Sequence, residues 1–191
     1  STPIKSSAAS DVYKRQDIGA VAEAHHYVEK VTTGELPFLL TSCCPSWAML
    51  AKKYFPDMID EVSQELTPMV ATARTIKKEH PNAKVVFIGP CAAKKLEAMR
   101  RTVRSDVDFV VTFEELQGMF DAKEIDLSEY EAESSFHNAT GVGRGYAVAG
   151  GVASAIEKCV NEYYPGVEVK IEHAELSLIH ISEPTRRTPI S

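Results

Sequence analysis

Residues 84–98 read KVVFIGPCAAKKLEA, and this stretch decides the fold class that we predict. Residues 84–88 are rich in β-branched side chains and indicate a buried strand. Gly89 and Pro90 end that strand, and residues 93–101 then indicate a helix. A strand that leads into a helix is the unit from which parallel sheets are built.

The same alternation of strand and helix continues on both sides of this stretch. Helices are predicted over residues 17–32, 46–54, 68–79, 113–122 and 146–163, and further strands over residues 37–41, 107–112 and 167–171. The polar, Gly-containing residues 126–145 are predicted to form a loop. The pattern predicts an α/β fold with a mostly parallel sheet flanked by helices.

The composition excludes several classes of protein. The chain has 191 residues, of which 44% are hydrophobic and 25% charged, and its net charge is −6. These values are typical of globular domains and exclude collagen-like, disordered and disulfide-scaffold proteins. The acidic balance argues against a nucleic-acid partner. No apolar run is long enough for a membrane segment, and no signal peptide is evident at the N-terminus.

Both ends of the chain correspond to sequencing adapters. Residues 6–16, SSAASDVYKRQ, and residues 176–186, LSLIHISEPTR, match codon for codon the two adapters of a tagmentation library, each with its transposase mosaic end. A polar tail at each end would not explain the codons. We therefore predict that residues 1–16 and 176–191 are adapter-derived and non-native. The remaining residues, 17–175, carry 16 basic and 25 acidic side chains, a net charge of −9.

Three of the four cysteines lie where a site is expected. Cys43 and Cys44 follow the predicted strand 37–41, and Cys91 follows the predicted strand 84–88. Sites in α/β sheets form beyond the carboxyl ends of strands, so Cys44 and Cys91 are expected to meet in space. Cys159 lies in a helical pattern beside apolar residues and is predicted to belong to the core.

The residues alone leave the chemistry of these thiols open. A disulfide between Cys44 and Cys91 would require an oxidising compartment, which nothing in the sequence indicates. A zinc ion or an iron–sulfur cluster usually takes four ligands, and only three loop thiols are present. A metal or cluster site and buried structural thiols therefore stand as alternatives at this point.

Two motifs resemble those of a known family. TSCCPSW at residues 41–47 and PCAAKKLEA at residues 90–98 resemble the first and second signature motifs of the iron-only (diiron) hydrogenases, at a similar separation. The resemblance covers nearly all of residues 17–175 and implies part of the catalytic domain of that family. It implies an H-cluster, which is a 4Fe-4S cluster joined to a diiron subcluster. By resemblance Cys44 and Cys91 are two of its four cysteine ligands, and the other two belong to a third motif that this chain lacks. The fragment alone is expected to be inactive.

The resemblance also implies roles for other residues. Cys43 matches the terminal proton-transfer thiol, and Glu23 and Ser63 match further positions of a proton relay. Lys94 matches a lysine that donates to a cyanide ligand, although a solvated lysine beside Lys95 is the alternative for this residue on its own. The positions that line the diiron pocket are Pro68, Met69 and Gly89.

Three positions depart from the pattern of the well-studied enzymes. His26 stands where a relay carboxylate is expected, one helical turn after Glu23. Met69 and Gly89 replace a glutamine and a methionine. These departures resemble a sensory branch of the family and put rapid turnover in doubt, but not the cofactor. Glu97 is predicted to form a structural salt bridge across one turn of its helix.

The implied function is the reversible interconversion of hydrogen with protons and electrons. The expected partners are ferredoxin or accessory iron–sulfur domains for electrons, and maturation proteins for the cofactor. A hydrogen- or redox-sensing relative and an iron–sulfur protein without the diiron unit are the alternatives. Cluster chemistry implies a reducing, anaerobic setting, and a cytoplasmic location is expected.

Overall fold

The computed structural model describes residues 8–104, 106–130, 145–146 and 150–171, with the side chains of the first helix described from Ile18 onward. The helices are α1 (Ala8–Lys30), α2 (Pro45–Tyr54), α3 (Pro68–Glu79), α4 (Ala93–Ala98), α5 (Phe113–Asp121) and α6 (Gly151–Tyr163). The strands are β1 (Val86–Gly89) and β2 (Phe109–Thr112), and short 3-10 turns cover Pro56–Met58 and Leu127–Glu129. The predicted loop 126–145 lies largely outside the described residues.

The two strands form a small parallel sheet. Val86 pairs with Phe109 and Gly89 with Thr112, and α4 and α5 follow the two strands within a few residues. Parallel strands with helical connections define the α/β class, so the predicted fold class is confirmed. The strands predicted over residues 84–88 and 107–112 are confirmed as well, and each begins two residues later than predicted.

Two of the predicted strands are wrong. Residues 37–41 make only an isolated parallel bridge between Leu40 and Val62, because Pro37 has no N–H to donate and the chain turns into the cysteine loop after Thr41. Residues 167–171 have no regular secondary structure. Apolar β-branched residues favour a strand, but a strand forms only when it pairs with a second strand. No described segment pairs with residues 167–171.

Local capping residues decide where several helices begin. Thr67 is the N-cap of α3 and accepts from the Val70 backbone N–H, and Pro68 occupies the first turn. Thr112 and Glu115 form a reciprocal capping box that starts α5 directly at the end of β2. The predicted start of the last helix at Tyr146 is wrong. Gly150 adopts a left-handed φ of 71°, and α6 begins only after it.

The buried residues form two clusters. The first lies between α1 and α6 and contains Ala20, Ala24, Tyr146, Ala155, Ile156, Cys159 and Val160. The second lies between α3 and the sheet and contains Met69, Val70, Ala73, Val85, Val103 and Val107. Cys159 is a core residue, as predicted. Helix α1 also packs against α3, so it joins the two clusters.

A close backbone approach at the start of α6 supports a stability prediction. A methyl group at Gly151 would overlap the Gly145 carbonyl oxygen and lie 2.8 Å from that of Tyr146. Backbone atoms cannot move aside as a side chain can, so Gly151→Ala should destabilise the protein by about 2 kcal/mol in urea unfolding. Gly118→Ala in α5 is the matched control, because nothing lies within 4 Å of its added methyl group. That variant should be as stable as the parent or more so, and equal stability of both variants would contradict the prediction.

Helix α1 begins at Ala8, inside the segment that we attribute to an adapter. A helix extends into flanking residues whenever these tolerate helical backbone, so the attribution of residues 1–16 stays a prediction. Among the described residues, no helix combines the length and apolarity needed to cross a bilayer.

Candidate functional site

The predicted site residues come from separate elements that meet at the end of β1. Cys43 and Cys44 lie in the loop before α2, Pro68 and Met69 in the first turn of α3, and Lys94 in α4. Helix α2 packs against α4, and α4 against β2. This packing brings the cysteine loop to the carboxyl end of the sheet, where sites in α/β folds occur.

Cys44 and Cys91 lie on the same side of this junction. Cys44 is the N-cap residue of α2, and the Cys91 sulfur lies 3.7 Å from the hydroxyl of Ser46, in the first turn of the same helix. Cys44 is exposed, Cys91 is half-buried, and no disulfide joins them. Among the described residues, no three His, Cys, Asp or Glu side chains form a metal-binding group. A cubane cluster takes four thiolates, so these two cysteines fit half of such a ligand set.

A cavity of about 210 Å³ lies at the residues next to these two cysteines, namely Cys43 and Lys94, whose backbone N–H donates to the Cys91 carbonyl oxygen. It is lined by Cys43, Pro68, Met69, Thr72, Phe87, Lys94 and Tyr146. The lining is mostly apolar, with a small number of polar groups directed inward, which is typical of cofactor and ligand sites. Two of the three positions that the resemblance assigns to the diiron pocket, Pro68 and Met69, therefore line one cavity together with Cys43 and Lys94.

Lys94 is held in place rather than solvated. Its side chain is 13% exposed, compared with 38% for neighbouring Lys95, which pairs with Glu115 at the surface. The Lys94 ammonium donates to the Cys43 carbonyl oxygen at 3.1 Å and to the Glu97 carboxylate at 2.8 Å. The solvated alternative for Lys94 is therefore wrong.

Glu97 is the buried anchor of this lysine. Its carboxylate also accepts from the Thr67 hydroxyl at 2.7 Å, which ties α4 to the N-cap of α3. The predicted salt bridge of Glu97 across one helical turn is confirmed. Because the ammonium has three donors and two are used here, one N–H remains for an occupant of the cavity.

Gly89 does not line the cavity, and the ring of Phe87 does. A methyl group at Gly89 would lie 2.7 Å from the Phe87 ring. The absence of a side chain at Gly89 thus gives this ring its place. The expectation that Gly89 lines the pocket is corrected: Gly89 affects the pocket through Phe87, a residue that no motif in the sequence marks.

Glu23 is a buried carboxyl group next to the Cys43 thiol. Helix α1 places it in the interior with 4% of its surface exposed, and its Oε2 atom has no hydrogen-bond partner. Burial raises the pKa of Glu23 to about 7, and the negative charge of Glu65 adds to this effect, while Ser63 and the Ser42 backbone oppose it. A carboxyl group with this pKa both takes up and releases protons near neutral pH.

The Ser63 hydroxyl contacts both the Glu23 carboxyl group and the backbone of Glu65. The Ser63 hydroxyl is buried and accepts from the Glu65 backbone N–H at 3.1 Å. The Glu65 carboxylate lies 3.7 Å from the His26 ring Nδ1 and is 38% exposed. Glu65 and Ser63 both line a groove of about 840 Å³. The position of the expected relay carboxylate is thus taken by His26, and Glu65 places a carboxylate beside it. The sequence analysis missed Glu65.

The groups around the Cys43 thiol shift its pKa in opposite directions. Burial raises the pKa of Cys43, a contact with the Tyr146 hydroxyl lowers it, and the charges of Glu23 and Lys94 act in opposite directions. Burial also raises the pKa of Tyr146 far above its usual range, with a further contribution from Cys43. Tyr146 was predicted only as the first residue of a helix, and no motif marked it as part of a site.

A comparison with protein families identifies the family. The family model described as the iron-only hydrogenase large subunit, C-terminal domain, matches residues 4–184. The chain belongs to the iron-only hydrogenase family. The partial α/β domain is therefore part of the family's C-terminal domain, and the cysteine loop and the PCAAKKLEA segment both lie within the matched residues.

Individual relatives agree with this membership. Iron hydrogenase 1 of Clostridium pasteurianum is 27% identical over 183 residues, which are 87% of this chain and 32% of the relative. The structure of apo FeFe-hydrogenase HydA1 from Chlamydomonas reinhardtii matches with a TM-score of 0.59 and 27% identity, and covers 87% of this chain and 45% of that one. The chain therefore spans less than half the length of these hydrogenases.

A second kind of relative shares the family. The cytosolic Fe-S cluster assembly factor NAR1 of Kluyveromyces lactis is 33% identical over 105 residues, which are 55% of this chain and 22% of that protein. Its name states cluster assembly and not hydrogen chemistry. Membership of the family thus admits both an oxidoreductase and an iron–sulfur protein of another function.

Proposed function

We propose that this chain is part of a hydrogenase that reversibly interconverts hydrogen with protons and electrons. The observation that supports this most strongly is the single cavity of about 210 Å³ in which Cys43 and Lys94 meet beside Cys44 and Cys91. Cys44 and Cys91 alone would support only a cubane cluster. The Cys43 thiol and the Lys94 ammonium line a cavity next to them, and a thiol and a cation there suit an anionic group in addition to the cubane.

The proposed H-cluster would supply the metal at which hydrogen is cleaved or formed and the route for its two electrons. Cys44 and Cys91 would hold the 4Fe-4S part. Lys94 would direct its remaining N–H into the cavity, held there by Glu97 and the Cys43 carbonyl oxygen. Pro68, Met69 and Phe87 exclude water around the diiron part.

Protons would travel between the cavity and the surface along four side chains. Cys43 exchanges a proton with the occupant of the cavity and passes it to Glu23. Glu23 passes it by way of the Ser63 hydroxyl toward Glu65, which lies beside His26 and lines the groove open to solvent. A carboxyl group with a pKa of about 7 suits the middle of such a relay, because neither direction of transfer is strongly uphill.

Ferredoxin or accessory iron–sulfur domains are the proposed electron partners, and maturation proteins would deliver the diiron unit. The proposed setting is a reducing, anaerobic cytoplasm, because exposed cluster thiolates and the cluster itself are sensitive to oxidation. Met69, Gly89 and His26 favour a sensory relative as a second candidate within the same chemistry. The similarity to NAR1 favours a third, an iron–sulfur protein without the diiron unit.

Hydrogen isotope exchange separates the hydrogenase proposal from the iron–sulfur protein without the diiron unit. The full-length protein that carries residues 17–175, matured anaerobically with the diiron cofactor, should form HD from H₂ in D₂O at a rate well above the buffer background. Cys91→Ala is the control and should abolish both cluster iron and HD formation, because it removes a ligand of the cubane. A full-length protein that binds a cubane cluster but forms no HD would contradict the hydrogenase proposal and support the assembly-factor alternative.

A further inference from the structure

The Tyr146 hydroxyl is a buried polar group without a hydrogen-bond partner among the described residues. The side chain is 7% exposed, and its oxygen touches the Cys43 thiol but forms no well-aligned hydrogen bond. Tyrosine hydroxyls that are buried in proteins are almost always hydrogen-bonded, because leaving one unpaired costs free energy. An exception of this kind calls for an explanation, and an acceptor that binds at the site is one.

The position of this hydroxyl shows where such an acceptor would lie. Tyr146 lines the same cavity as Cys43 and Lys94. The remaining lining residues are Thr72 and the apolar Pro68, Met69 and Phe87. The third N–H of the Lys94 ammonium and the Tyr146 hydroxyl are therefore two hydrogen-bond donors on the walls of one cavity.

We propose that the Tyr146 hydroxyl donates a hydrogen bond to an acceptor atom on the group bound in this cavity, as a second donor beside Lys94. This inference rests on the proposed function, under which that group is the diiron unit with its cyanide and carbonyl ligands. A cation and a neutral hydroxyl on the walls of one apolar cavity recognise an occupant that is anionic and carries more than one acceptor. Tyr146 is then a residue that orients the cofactor and adjusts the electron density on its ligands.

Infrared spectroscopy of the matured full-length protein tests the proposal without relying on turnover. Tyr146→Phe removes only the hydroxyl oxygen and keeps the ring. The cyanide and carbonyl stretching bands should remain present and shift in frequency, because a hydrogen bond to a ligand changes its stretching force constant. Tyr164→Phe is the matched control: it removes a hydroxyl that bonds the His25 ring at 2.9 Å, and Tyr164 does not line the cavity. Its bands should stay at the parent frequencies.

The outcomes separate this inference from the proposed function. If the parent protein shows no cyanide or carbonyl bands, the proposed function fails and the inference falls with it. If the bands of Tyr146→Phe stand at the parent frequencies, the proposed function survives and the inference is overturned. In that case the hydroxyl serves a role within the protein, toward Glu23 or Cys43.

A second measurement decides the matter if Tyr146→Phe does not take up the cofactor. In the cofactor-free protein the hydroxyl touches the Cys43 thiol but forms no well-aligned hydrogen bond with a described residue, so its removal should raise Tm or leave it unchanged. Tyr164→Phe should lower Tm because it breaks a formed hydrogen bond. A lower Tm for cofactor-free Tyr146→Phe would show that the hydroxyl stabilises the fold itself and would overturn the proposal.

Discussion

Replacing Cys43 by alanine should lower hydrogen turnover by about two to four orders of magnitude, the range that a positioned acid or base contributes. Cys43 is the cavity residue whose thiol adjoins both the Tyr146 hydroxyl and the charge of Glu23. Without the thiol, the proposed relay loses the group that exchanges protons with the occupant of the cavity. The measurement is the rate of methyl-viologen-dependent hydrogen evolution by the matured full-length protein.

The control for this experiment is a variant of a proposed cluster ligand, Cys91. Cys43→Ala should keep the cyanide and carbonyl infrared bands, whereas Cys91→Ala should lose them together with the cluster iron. Cys43 and Cys44 are adjacent in sequence, but only Cys43 lines the cavity. Loss of the bands in Cys43→Ala would show that Cys43, and not Cys44, is the ligand, and that the division of roles between them is wrong.

Replacing Glu23 by glutamine should change how the stability of the protein depends on pH. Burial raises the pKa of Glu23 to about 7 in the folded protein, while an unfolded chain has the ordinary value near 4.5. Between these two values the folded state holds a proton that the unfolded state has released, so stability falls as pH rises. The difference amounts to about 3 kcal/mol at pH 8, and it is absent below pH 4.5.

The glutamine variant should remove this slope. Glutamine stays neutral, so Glu23→Gln should match the parent protein at pH 4.5 and exceed its unfolding free energy at pH 8 by about 3 kcal/mol. The variant leaves the groups around Glu23 unchanged. The side chains that interact electrostatically with Glu23 are Cys43, Ser63, Glu65 and Tyr146. Glu29→Gln, at an exposed position on the same helix, should leave the slope as it is. If the unfolding free energies of the parent and Glu23→Gln depended on pH in the same way, the pKa of Glu23 would not be raised and the prediction would be contradicted.

The two properties of Glu23 belong together. A carboxyl group that is expensive to ionise at pH 8 destabilises the fold, and the same feature lets it carry protons near neutral pH. Glu23→Gln should therefore be a more stable protein with slower hydrogen evolution. Such a trade-off between stability and activity is common where a functional residue destabilises the fold.

Local sequence was sufficient to predict the elements that carry the site. Residues 84–88 predicted a strand because β-branched side chains recur there, and Pro68 marked the start of α3 because its fixed backbone angle suits the first turn of a helix. The strand over residues 37–41 failed for the opposite reason. Its formation depends on a distant partner, and Leu40 finds only one, Val62.

The residues of the cavity show where sequence-based prediction ends. Lys94 and Lys95 are identical in type and adjacent, and only the packing of α4 against the cysteine loop buries one and exposes the other. Tyr146 and Glu65 enter the site from segments without a motif of their own. The resemblance to iron-only hydrogenases selected Cys43, Lys94 and Met69, but it could not select residues that differ from the usual pattern and are brought in by tertiary contacts.

The most direct test of the proposed function is the infrared spectrum of the full-length protein after anaerobic maturation with the diiron cofactor. Metal-bound cyanide and carbonyl absorb in a region where proteins themselves do not. We expect both kinds of band in the parent protein and their absence in Cys91→Ala. A parent protein that contains an intact cubane cluster and shows neither band would contradict the account, because Cys43, Lys94 and their cavity would then serve no diiron unit.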